Sequence, residues 1–201
     1  MKKNARILGF LGVALAAAVP ALAATETYTF DKAHTLIGFR IRHVVTKVEG
    51  RFKSFAATIW LDRGNPADSR VELTIQTASI DTGVEDRDKD LRSPNFFDVE
   101  KYPTMTFKST KIEAKGNDSY DVTGEFTLHG VTKTIHVPVK HTGFGKLGKT
   151  EKAGFEIAFP LLRREYGIDR GIPLVGEEVE INIQVEANKE APEAEKAPAK
   201  S

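Results

Sequence analysis

Tyr120-Asp121-Val122-Thr123-Gly124-Glu125-Phe126-Thr127-Leu128 alternates without a break. Tyr120, Val122, Gly124, Phe126 and Leu128 face one way; Asp121, Thr123, Glu125 and Thr127 face the other. A period of two with one dry and one wet face is the mark of an antiparallel strand lying on a core. His129-Gly130 then signals a turn, and Ile135, Val137 and Val139 resume the pattern. Upstream, the same alternation appears in Ile37, Phe39, Ile41 and His43, in Phe55, Ala57, Ile59 and Leu61, in Val71, Leu73 and Ile75, and in Met105 and Phe107. Downstream it returns in Phe155, Ile157 and Phe159 and in Val179, Ile181, Ile183 and Val185. Arg63-Gly64-Asn65-Pro66, Lys115-Gly116-Asn117-Asp118 and the loop from Gly143 to Gly148 separate the runs. About eight strands with short hairpins predict an all-β antiparallel fold, either a barrel or a sandwich.

One segment departs from this pattern. Val84 to Asp98 reads as a short helical insert: Glu85, Asp86, Asp88 and Asp90 crowd its start, where the helix dipole favours acids, and Pro94 ends it. The stretch from Ser93 to Ser109 adds Phe96, Phe97, Tyr102 and Phe107. It is expected to pack across one end of the strands, with Phe96 and Phe97 as its apolar underside near a mouth. Tyr102-Pro103 would then turn the chain into the next strand. The dry faces carry Phe39, Phe55, Phe107, Phe126, Phe155 and Phe159, with Gly38, Gly124, Ala57 and Ala158 among or beside them. A closed barrel of about eight strands has an interior that side chains just fill, or that holds one small ligand. On periodicity alone, a packed core and a slot-shaped cavity both remain open.

The two ends read differently from the middle. Lys2, Lys3 and Arg6 precede an apolar run from Ile7 to Val19, and Ala21-Leu22-Ala23 fits a small-x-small cleavage site. Residues 1–23 are therefore expected to be a signal peptide, too short to span a bilayer, and the mature chain a periplasmic protein without stable membrane insertion. With no cysteine, neither a lipidated N-terminal cysteine nor a disulfide is available. Removing three basic residues from 29, against 28 acidic ones, leaves the mature chain at −2, which makes no electrostatic case for nucleic acid. Residues 24–186 are expected to form one domain, and 187–201, rich in Ala, Glu, Lys and Pro, a disordered tail.

Motifs for chemistry are few. Gly143-Phe-Gly-Lys-Leu-Gly148-Lys149-Thr150 matches the phosphate-loop pattern, but that motif works only between a buried strand and a helix. Residues 151–159 alternate as a strand, so a hairpin is expected instead. His34, His43, His129, His136 and His141 show no helical zinc spacing and have no cysteine beside them, so no metal is expected. None of the seven serines of the mature chain sits in a nucleophile elbow, and Asp86-Arg87-Asp88 fits a helix start. In Arg163-Arg164-Glu165-Tyr166-Gly167, the arginines could fork onto an anionic head group or pair with Glu165 on the surface.

These residues together resemble the YceI-like lipid- and polyisoprenoid-binding family of exported bacterial proteins. The resemblance runs from about Tyr28 to Val185. It is carried by Asp31-Lys-Ala-His34-Thr-Leu-Ile-Gly-Phe39, Arg87-Asp88-Lys-Asp-Leu91, Phe96-Phe97-Asp98 through Tyr102-Pro103 to Phe107-Lys-Ser109, Gly124-Glu-Phe-Thr-Leu128-His-Gly130-Val-Thr-Lys133, and Arg164-Glu-Tyr-Gly167. It implies an eight-stranded lipocalin-like barrel whose lumen holds a polyisoprenoid or other long-chain lipid, with no cofactor, no catalytic residue and no obligatory metal. Phe39, Phe55, Phe107, Phe126, Phe155 and Phe159 are the expected lining, with Phe96 and Phe97 near the mouth and His34, Arg92 and Arg164 at polar ends. Two alternatives stand beside this carrier reading: a lipid-modifying enzyme using a cavity histidine, and a stress-linked interaction protein without a ligand. An exposed barrel edge leaves a homodimer open.

Overall fold

The structure, a computed structural model, describes residues 25–191; the expected signal peptide and the tail from residue 192 onward lie outside the described residues. In chain order the elements are β1 (Glu26–Phe30), β2 (Leu36–His43), β3 (Thr46–Phe52), β4 (Phe55–Leu61), β5 (Arg70–Gln76), β6 (Ile80–Asp81), α1 (Glu85–Arg92), β7 (Thr104–Gly116), β8 (Ser119–Leu128), β9 (Val131–Leu147), β10 (Thr150–Leu162) and β11 (Val175–Lys189). Every pairing is antiparallel, in the order β1-β4-β5-β7-β8-β9-β10-β11, and β11 returns to β1. The ring is a closed eight-stranded barrel with one short helix, as the periodicity and the resemblance together imply.

Closure depends on the length of β11. Residues 187–189 pair with β1, while residues 175–184 pair with β2, so the two short strands share one neighbour in succession. β3 and then β6 continue the wall beyond β2. The last strand outruns the domain boundary expected at residue 186: Ala187 is fully buried opposite Phe30, and Asn188 and Lys189 complete the pairing with β1. A small apolar residue in register outweighs the polar composition around it.

The hairpins follow local chemistry. His129 and Gly130 (φ 51° and 75°) join β8 to β9, and Asn117 and Asp118 (φ 51° and 56°) join β7 to β8. Two consecutive left-handed residues match the twist of the flanking strands. The phosphate-loop look-alike is also a hairpin: Leu147 pairs with Thr150, and Gly148 takes φ 60° in the two-residue turn.

α1 covers one end of the barrel through polar ties and an apolar underside. The buried carboxylate of Asp88 accepts hydrogen bonds from Thr82 N (2.9 Å) and Thr82 Oγ1 (2.5 Å). Leu91, Phe96 and Phe97 pack on the core built from Ile37, Phe52, Phe55, Ile80 and Met105. Tyr102 then lies against His129, ring centroids 4.4 Å apart, before the chain enters β7.

Candidate functional site

The barrel encloses an apolar cavity of about 710 Å³. Its lining is set by the strand periodicity. On β10, Phe155, Ile157 and Phe159 point inward, while Glu156, Ala158 and Pro160 are exposed on the outer face. β11 contributes Ile181, Ile183 and Val185 in the same way. All of these but the buried Val185 are only half-buried, because they border the lumen rather than a filled core.

The expected aromatic lining divides into two groups. Phe39, Phe107, Phe126, Phe155 and Phe159 all border the cavity, joined by Phe96 and Phe97 from the helical end. Phe55 does not: it is buried at the start of β4 beneath Phe30, ring centroids 6.3 Å apart in an edge-on arrangement. Its face was legible, but its depth along the barrel was not. The aliphatic lining, such as Ile41, Leu73 and Val137, follows from the same alternation that marked the phenylalanines.

The expected polar ends lie elsewhere. Arg92 donates through Nε to Ala78 O and through Nη2 to Ile80 O, both at 2.9 Å, and so fastens α1 to the wall. Arg164 pairs with Glu177 at 3.0 Å on the exterior. His34 is exposed in the turn after β1, its Nδ1 3.0 Å from Asp31 Oδ2. Asp31, His34 and Glu186 stand close enough to share an ion. However, the ammonium of Lys152 occupies that position, 3.2 Å from Asp31 Oδ2 and 2.9 Å from Asn188 Oδ1, and it also bonds Glu186. The hydrogen bond from His34 first, then Ala33 N and Lys152, holds the Asp31 carboxyl far below the usual carboxylate range, so the cluster is a closed ion network.

The polar groups that do border the lumen had only a faint sequence signal. His141 is the next inward position after Ile135, Val137 and Val139 on β9. It lies directly opposite Phe155, ring centroids 5.3 Å apart, and 4.5 Å from the ring of Phe144. Arg63 stacks over Phe144, its Cζ 3.8 Å from the ring centroid. The Arg63 guanidinium also donates to Glu26 Oε2 (2.7 Å), Tyr28 Oη (2.5 Å) and Glu151. At the helical end, buried Arg163 donates to Ile168 O (2.8 Å) in the connection after β10 and to Val175 O (3.2 Å) and Gly176 O (2.7 Å) at the start of β11. These pairings depend on long-range register, which no local pattern encodes.

The same barrel recurs in known proteins. The YceI-like domain matches residues 28–187. Protein YceI of Salmonella agona is 38% identical over 192 residues, spanning 92% of this chain and 97% of its own. The crystal structure of Burkholderia cenocepacia BcnA superposes with a TM-score of 0.71 at 28% identity, over 78% of this chain and 98% of its own. A polyisoprenoid binding domain from Saccharophagus degradans, implicated in plant cell wall breakdown, shares the fold at a TM-score of 0.63 and 15% identity, over 83% of this chain and 99% of its own. Sequence and barrel thus agree across nearly the whole described length, and the chain belongs to the YceI-like family.

Proposed function

We propose that this protein binds and carries a polyisoprenoid or similar long-chain amphiphile in the barrel lumen, in the periplasm. The observation that carries the reading is the apolar cavity of about 710 Å³ bordered by inward phenylalanines and aliphatics. Its volume lies within the range of about 300–1,000 Å³ typical of small-molecule sites. The polyisoprenoid-binding domain that shares the fold supports the ligand class. The basic and apolar residues at positions 2–19, with Ala21-Leu22-Ala23, support export.

Energetics fit a carrier. Burying an apolar chain contributes roughly 0.8 kcal/mol per methylene, so about ten groups yield ~8 kcal/mol, near micromolar affinity. Chain ordering offsets part of any further gain. Polar groups need only orient one end. Binding without turnover is favoured because His34, which has a carboxylate beside it, faces solvent, while His43, which borders the lumen, is paired with no carboxylate among the described residues.

Native mass spectrometry tests the proposal. Protein purified from membrane-containing cells should carry a lipid adduct or take up added isoprenoid to a single equivalent. A bare mass that stays bare after incubation with isoprenoid overturns the reading.

A further inference from the structure

Resting on that reading, the polar atoms along the lumen identify what the far end of the ligand must be. Among the described residues four arginines and no lysine border the cavity, and three of the four spend donors on protein acceptors. Arg63 is met by Glu26, Glu151 and Tyr28, with Phe144 over its face. Arg163 spends its donors on three backbone carbonyls. Arg87 donates to Thr82 Oγ1 (2.7 Å) and Thr82 O (2.9 Å), and Arg70 stacks on Trp60, 4.2 Å from its ring centroid. Asp62, Asp90 and Asp118 border the same cavity. A phosphate or diphosphate needs several guanidinium or ammonium donors free to fork onto its oxygens, and the lumen offers only Arg70, exposed at its rim.

One side-chain nitrogen is different. His141 Nε2 is buried and has no hydrogen-bond partner among the described residues. A buried polar atom left unpaired is costly enough that most such atoms are bonded, so an isolated one at a cavity wall points to a missing partner. Its position suits a terminus: His141 lies near the hairpin end of β9, held between Phe144 and Phe155. Tyr120, its diagonal cross-strand neighbour on β8, borders the same end of the lumen. Burial pushes the imidazole below its usual range, which leaves the ring neutral near neutral pH.

We infer that His141 Nε2 anchors the polar terminus of the ligand, and that this terminus is a single uncharged hydroxyl rather than a phosphate. A hydroxyl can donate or accept, so it satisfies Nε2 in either neutral tautomer. An anion at the same place would meet a neutral ring, the Asp118 carboxylate, and an Arg63 guanidinium already paired with Glu26 and Glu151. The apolar chain then runs from His141 along Phe155, Phe159 and Phe126 toward the helical end.

Calorimetric titration with geranylgeraniol, its diphosphate and the hydrocarbon of the same skeleton tests the assignment on wild type, His141→Phe and His141→Gln. Phe fits the aromatic neighbours without the nitrogen, and Gln keeps a polar atom. Wild type is expected to bind the alcohol roughly 3–10-fold more tightly than either analogue, the range of one net hydrogen bond. His141→Phe should lose that margin while keeping its affinity for the hydrocarbon, and His141→Gln should retain part of it. A margin unchanged in His141→Phe, or a diphosphate that binds wild type best, overturns the assignment and leaves lipid binding standing. Failure of wild type to bind any of the three overturns both.

Discussion

The ring of Phe97 stands edge-on against that of Phe52, centroids 5.7 Å apart and planes at 84°. This contact joins the connection after α1 to β3, the part of the wall that continues beyond the closed ring. Both rings border the cavity, so Phe97 could close the core or admit ligand. Its packing into the cluster with Ile37, Ile80 and Met105 favours closure. Phe97→Ala should cost about 2 kcal/mol, below the 3–5 kcal/mol of a fully buried ring, because Phe97 is only half-buried. Urea unfolding with a parallel binding assay checks this: lost stability with retained uptake marks a plug, and the reverse marks a gate.

Two glycines let phenylalanine rings lie flat across the wall. A Cβ on Gly124 would stand 2.5 Å from the Phe107 ring and 2.6 Å from Lys108 O; one on Gly50 would stand 2.3 Å from the Phe39 ring and 2.9 Å from Thr82 Cγ2. The obstacles differ in kind. Gly124→Ala meets a backbone carbonyl of the adjacent strand and should cost about 2–3 kcal/mol as β7 and β8 part. Gly50→Ala meets only side chains, so it should cost less, but it displaces Phe39 toward the lumen and lowers ligand capacity. Urea midpoints together with the stoichiometry of lipid uptake separate the two effects.

The contrast between Phe159 and Phe55 shows how far the sequence can be read. Both occupy dry positions of alternating strands, and both do point inward. Which of them meets the cavity depends on height along a tilted barrel, and Phe55 lies where Phe30 covers it. Alternation encodes the face of a side chain but not its level. The same limit separates His34 from His141. A local motif made His34 conspicuous, yet the turn after β1 places it outside. Alternation along β9 hints that His141 points inward, but the bulge between Gly154 and Phe155 that sets it opposite Phe155 belongs to the folded pairing of β9 with β10. The means of closing the barrel was equally hidden, because nothing in residues 175–189 announces that one strand will serve two neighbours in turn.

Arg163 is a structural cation rather than a head-group ligand. It is 5% exposed, and its guanidinium gathers the carbonyls of Ile168, Val175 and Gly176, bracing the loop between β10 and β11. Arg163→Met should destabilise the fold by about 3–5 kcal/mol, since it orphans buried acceptors as well as removing charged hydrogen bonds. Arg163→Lys should recover little, because an ammonium cannot span three divergent carbonyls. Thermal unfolding of the two variants against wild type checks the order.

Acidification should destabilise the protein in two separate stages. His141 is held below its usual value of 6.5 by burial, so the unfolded chain takes up a proton first; stability is full above about pH 6.5 and falls as pH drops toward the folded value. The second stage belongs to carboxylates. Asp31 is depressed by its bond to His34, and Glu151 by its bond to Arg63. For Glu26, burial raises the carboxyl, but hydrogen bonds from Lys189, Tyr28 and Arg63 outweigh it and hold the group low. A depressed carboxylate contributes stability that is complete above its unfolded value, about 4, and is lost as pH falls through the folded one. Urea midpoints measured from about pH 8 to 3 should therefore show a shallow decline below 6.5 and a steep one below 4. His141→Phe should erase the shallow stage alone. Lys152→Met, which strips the ammonium from Asp31 and Glu186, should lower stability above pH 4 and shrink the steep stage. A single transition unaffected by either substitution would show that the seam between β1, β10 and β11 is not what acid releases.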